Sequence, residues 1–118
     1  MGISDVQAVT ITADTVALDA DGISVATSVG NNAALVIGGA LASGGAVALS
    51  HGRIVTILSA GNDSGKSFTV VGTDINGAAQ TESITGANAG TATGAVFFLT
   101  IASITAVGNP AGNVSAGV

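Results

Sequence analysis

Apolar and polar residues alternate over short stretches of this chain, and turn-forming residues separate the stretches. Val9-Thr10-Ile11-Thr12 has the period of two that sends successive side chains to opposite faces of a strand. Arg53-Ile54-Val55-Thr56-Ile57-Leu58-Ser59 is the clearest strand, rich in β-branched residues. Ser67-Phe68-Thr69-Val70-Val71, Thr81-Glu82-Ser83-Ile84, Val96 to Ile101, Ser103 to Val107 and Asn113 to Ala116 follow, with a break expected at Ala102. Ala34-Leu35-Val36-Ile37 and Ala46-Val47-Ala48-Leu49 are apolar blocks of strand length set off by the Gly38-Gly39 and Gly44-Gly45 pairs. No segment sustains a 3.6-residue apolar period with caps. The pattern predicts an all-β fold, a small antiparallel β-sandwich or barrel of Ig-like or jelly-roll-like kind. Residues 1–30 are less regular and are expected to form an extended N-terminal arm and a first hairpin. Residues 31–118 are expected to form the β domain.

Two turns share one grammar. Asp74-Ile75-Asn76-Gly77 lies between the strands at Ser67–Val71 and Thr81–Ile84, and a three-residue loop there sets Phe68 opposite Ile84. A two-residue Asn76-Gly77 turn sets Phe68 opposite Thr85 instead. The first register is preferred because it pairs two large apolar residues. Asp19-Ala20-Asp21-Gly22 is expected to close a hairpin between Val16-Ala17-Leu18 and Ile23-Ser24-Val25. Asn109-Pro110-Ala111-Gly112 is a further turn.

Composition narrows the chemistry. The chain has 118 residues, one His, no Cys, Trp or Tyr, and a formal charge of −5. Arg53 and Lys66 are its two basic side chains, too few to neutralise a nucleic-acid backbone, so nucleic-acid binding is not expected. No disulfide or thiolate metal site is possible. The first residues lack the basic-then-apolar layout of a signal peptide. Ala33 to Leu49 is nearly free of polar side chains. It is 17 residues long, interrupted by Gly pairs and without a basic flank, so buried strands are preferred to a membrane span.

Three motifs invite chemistry and are better read structurally. Gly61-Asn62-Asp63-Ser64-Gly65-Lys66-Ser67 has three residues between its first Gly and the Gly-Lys pair, where a phosphate loop needs four, and strand-like residues follow it. It reads as a polar loop. The two Asp-containing turns lack the ligand spacing and flanking helices of a calcium loop. His51 has no second His or Cys to share a metal with. No nucleophile–base set can be assembled, so an enzyme is not expected, and neither are catalytic, cofactor-binding or metal-ligating residues. Arg53 and Lys66 either pair with nearby Asp63 or Glu82 in solvent or contact a partner. Arg53, His51 and Phe97 are the candidate partner contacts.

From about Gly38 onward the chain resembles a small β module of tailed-bacteriophage structural proteins. The resemblance runs through Gly39-Ala40-Leu41-Ala42-Ser43-Gly44-Gly45, Gly52 to Gly65, Phe68 to Asp74, Glu82 to Gly90 and Ala111-Gly112-Asn113-Val114. Related modules often carry a more polar stretch where this chain has Gly94-Ala95-Val96-Phe97. The resemblance implies a virion structural protein, a capsid decoration or cement protein that clamps neighbouring major capsid subunits on the phage head. It also implies a homotrimer, synthesis in the host cytoplasm, and no cofactor, nucleic-acid or membrane partner. The alternative is a tail, neck or fibre-associated β module making structural or host-surface contacts.

Overall fold

The computed structural model describes residues 19–118. These residues build an all-β fold with no helix. Its strands are β1 (Ser24–Ser28), β2 (Ala42–Ser43), β3 (Ala46–Ser59), β4 (Ser67–Thr73), β5 (Ala79–Thr85), β6 (Thr91–Val107) and β7 (Asn113–Gly117). They form one seven-stranded sheet in the order β1-β7-β3-β6-β4-β5, and β2 pairs with β3 off this path. Every pairing is antiparallel.

The long strands β3 and β6 each serve two neighbourhoods. The C-terminal half of β3 lies between β7 and the first half of β6, whereas the second half of β6 lies beside β4. One core cluster collects side chains from both neighbourhoods: Ile23, Ile57, Val114 and Ala116 from one, Phe68, Val70, Ile84 and Ile104 from the other. A flat sheet cannot gather these residues on one face. The sheet therefore curls around its core, and side chains help to close it. From the outer strand β5, Gln80 Nε2 donates to the carbonyl of Phe97 at 2.6 Å, and Glu82 Oε2 accepts from the amide of Ala95.

Alternation explains the core. Along β4, Phe68, Val70 and Gly72 are buried while the residues between them are not. Phe68 and Phe98 are fully buried, and each contributes roughly 1.5–3 kcal/mol of transfer free energy. At Gly72 the ladder shifts: Val71 faces Ser103 and Gly72 faces Ile101, so Ala102 has no partner on β4. A side chain at position 72 would overlap the Thr100 carbonyl, so the bulge requires glycine.

The turns follow their sequence grammar. Phe68 faces Ile84, and the three residues Ile75, Asn76 and Gly77 form the loop. Gly77 has φ +81° and donates to the Asp74 carbonyl at 3.0 Å. Asp74 Oδ1 accepts from the amides of Asn76 (2.8 Å) and Ala78 (3.0 Å). Gly44 (φ +64°) and Gly45 (φ +83°) form the two-residue β2–β3 turn, both in the left-handed region that a type I′ turn needs.

Several expectations are corrected. The two blocks Ala46–Leu49 and Arg53–Ser59 belong to one strand, as do Val96–Ile101 and Ser103–Val107, because bulges absorb the breaks without ending the strand. Ala34 to Ile37 is not a strand; Ala34 makes an isolated bridge to Thr105, Leu35 is buried and Val36 is exposed. The Asp19–Gly22 turn forms, with Gly22 N donating to Asp19 O at 3.3 Å; the first flank of the expected hairpin, Val16–Leu18, lies outside the described residues. Asp19 bonds to Val118, just beyond the end of β7, and Ile23 to Ala116 within it. The turn is thus an excursion along one edge of β7. Within residues 19–30, β1 pairs with β7 and Ile23 is buried. Val9–Thr12, Val16–Leu18 and the rest of residues 1–18 lie outside the described residues. The Ala33–Leu49 stretch is divided among the approach to β2, β2 itself and the start of β3, and no helix of the described residues is long and apolar enough to cross a membrane.

Candidate functional site

Of the three residues singled out as partner contacts, Arg53 and Phe97 meet at one surface hollow. Arg53 faces Phe98 and Ile54 faces Phe97 across the β3–β6 ladder, and His51 stands two residues before Arg53. Bulges bound this paired island on both sides. On one side, Leu49, Ser50, His51 and Gly52 face Leu99 alone; on the other, Gly94, Ala95 and Val96 face Val55 alone. The extra residues lie on β3 in the first bulge and on β6 in the second. Such irregularities bend a sheet and re-aim side chains.

The outcome is a pair of phenylalanines with opposite fates. Phe98 is fully buried, whereas Phe97 is 55% exposed. Phe97 lines two adjoining surface hollows. The first is shared with Gly52, Ile75, Gln80, Ala95 and Val96, the second with Gly52, Arg53, Ile54, Thr56, Thr93 and Val118. Ile75, at the tip of the β4–β5 turn, is 64% exposed. Gly52 lets these groups close over the strand: a Cβ there would lie 2.7 Å from Ile75 Cγ2 and 3.2 Å from Phe97 Cβ. His51 is exposed and Arg53 half-buried.

Carboxylates near this surface are committed to backbone. Glu82 holds the Ala95 amide, and its Oε1 is buried without a hydrogen-bond partner. Gln80 and Glu82 thereby anchor the bulged segment that presents Phe97. Asp63, considered from sequence as a solvated partner for Arg53 or Lys66, is fully buried instead. Its Oδ1 accepts from the Ala111 amide at 2.7 Å, and its Oδ2 has no partner. The glycine-rich loop around it is clamped: Asp63 N donates to Ala87 O, Ala89 N to Gly61 O and Gly86 N to Lys66 O. Asp63 therefore ties this loop to the β6–β7 turn.

A second apolar surface was not anticipated. Val25 (54% exposed) and Val36 (72% exposed) flank a hollow with Ala26, Thr27 and Gly38. The run Ala34–Ile37 is uniformly apolar, so it carries no alternation from which an exposed valine could be picked out. Ile75 did carry a signal, as an apolar residue inside a hairpin turn.

The arrangement offers apolar and aromatic contact surface with scattered polar groups. Comparisons with protein-family models, with curated proteins and with solved structures find no match to this chain.

Proposed function

We propose that this chain is a structural protein of a tailed-bacteriophage virion, a capsid decoration or cement protein. In this reading it sits as a homotrimer on the head surface and clamps neighbouring major capsid subunits. Its role is non-catalytic and needs no cofactor, nucleic acid or membrane. The resemblance from Gly38 onward motivates the reading. The observation that carries it is the exposed apolar surface: Phe97 and Ile75 on one hollow, Val25 and Val36 on another. Scattered exposed apolar residues need no explanation, but grouped ones mark contact sites. Arg53, His51 and Phe97 are the proposed contacts with the capsid.

A clamp of this kind acts through buried area. A standard interface buries roughly 1,200–2,000 Å². Repeated across a lattice, such contacts resist internal DNA pressure without chemistry. The test is co-sedimentation of the purified chain with undecorated capsids, followed by heating. Bound chain and a raised rupture temperature are expected. No binding to heads, with density for the chain on tail or neck in cryo-EM of the source particle, would move the role to the tail.

A further inference from the structure

The hollow beside β1 has the form of an unfilled strand position. Its first wall is β1, whose ladder bonds run only to β7. Its second wall is the segment at Val36 and Gly38. Leu35 N donates to Ile104 O at 2.8 Å, and the next main-chain bond of this segment is Gly38 N to Ile23 O at 3.1 Å. Among the described residues, Val36 and Ile37 make no backbone hydrogen bond. The slot is closed at one end, where the Ile23 carbonyl accepts from both Gly38 and Gly39. Among the described residues, two stretches of unpaired backbone thus flank one cleft, and each contributes an exposed valine.

An exposed strand edge of this kind is a template for another chain. We propose that the slot accepts, as an added strand, the Val9–Thr12 segment of a second copy of this chain. The inference rests on the self-association in the proposed function and names the surface that carries it. Two observations select this occupant. The first is sequence pattern: Val9 and Ile11 fall on one face of an extended segment, toward Val25 and Val36, and Thr10 and Thr12 fall on the other. The second is where the described chain begins. Asp19 is bonded to Val118 at one end of β7, whereas β1 runs from there toward Asn113 at the other end. Asp19 is thus fixed at the end of β7 opposite to that toward which the slot opens. Eighteen residues precede Asp19, a reach of roughly 60 Å when extended. That reach is long enough for the segment to extend to a second copy.

The absence of cysteine makes the test clean. Thr10→Cys and Ala26→Cys chains are purified separately, mixed, oxidised and run on a non-reducing gel. A mixed disulfide dimer exceeding either same-variant dimer is expected. Adding Val36→Asp to the Ala26→Cys chain is expected to cut the mixed dimer about tenfold, since an uncompensated charge at the contact costs at least about 1.4 kcal/mol. Val36 is exposed, so a melting curve checks that this variant folds. Absence of the mixed dimer, an unchanged yield with Val36→Asp, or a cross-link forming only within a Thr10→Cys/Ala26→Cys double variant overturns the proposal. Light scattering on the wild-type chain separates two failures. An oligomer without the mixed dimer refutes the slot alone, and a monomer at every concentration refutes self-association with it. Capsid co-sedimentation tests the clamp independently of both.

Discussion

Two glycines without close neighbours, Gly77 and Gly65, should respond to alanine with opposite signs. Neither position would crowd an added Cβ, since nothing lies within 4 Å of it. They differ in backbone. Gly77 has φ +81°, in the left-handed region. Gly65 is not among the residues of positive φ; it sits in the turn closed by Lys66 N donating to Asp63 O at 2.9 Å. Alanine restricts the unfolded chain at either site, which stabilises by about 0.4–1 kcal/mol. At Gly77 it also incurs the left-handed penalty of about 1–2 kcal/mol for an L-residue. Gly65→Ala should therefore raise stability slightly and Gly77→Ala lower it, with about 1–2 kcal/mol between the two variants. For a domain of this size that gap is roughly 4–16 °C in melting temperature. Thermal unfolding followed by far-UV circular dichroism measures it, and urea titration checks that the slope is unchanged. Gly77→Asn should fall between the two, because asparagine tolerates this region. Equal shifts for both alanine variants would refute the turn assignment and, with it, the argument that fixes the Phe68–Ile84 register.

Three further outcomes are expected. Asp63→Ala should cost about 1–3 kcal/mol in urea unfolding, because it strips the Ala111 amide of its acceptor, whereas Asp63→Asn can keep that bond and should be nearly neutral. Phe98→Ala should destabilise by about 3–5 kcal/mol, while Phe97→Ala should change the melting curve little and instead weaken capsid co-sedimentation. Asp74→Ala should lose about 1 kcal/mol by removing an oxygen that serves two turn amides, a loss that Asp74→Asn should largely restore in the same melt.

The β4–β5 hairpin could be read from sequence because every signal agreed. Alternation, the Asp-x-Asn-Gly turn and the pairing of two large side chains all selected one register. The all-β class followed from the same agreement repeated along the chain. Where signals were local, reading stopped. The turn at Asp19–Gly22 has the composition of a hairpin, yet Ile23 on its far side bonds to Ala116 of β7. Asp63 sits in a polar loop, and nothing in Asn62-Asp63-Ser64 tells that its carboxylate is buried on the amide of a residue 48 positions away. Long-range pairing decides both, and no local pattern encodes it.

The candidate surface shows the same limit at a finer scale. Adjacent residues on a strand face opposite ways, so Phe97-Phe98 places one ring inside and one outside. Alternation alone cannot choose which, because a one-residue slip exchanges them. The choice is made by the two bulges, which reset the register on either side of the Arg53–Ile54 pair. It is secured by Gln80 and Glu82 reaching from β5 to the main chain of the bulged segment. Glu82 looked like a solvated acid on an alternating strand, yet it holds the segment that presents Phe97. Naming Phe97 a candidate contact from sequence therefore carried no information about its exposure. Its exposure is a property of the sheet's irregularities. A variant that removed the Leu49–Gly52 bulge would be expected to move the aromatic contact as well as the strand.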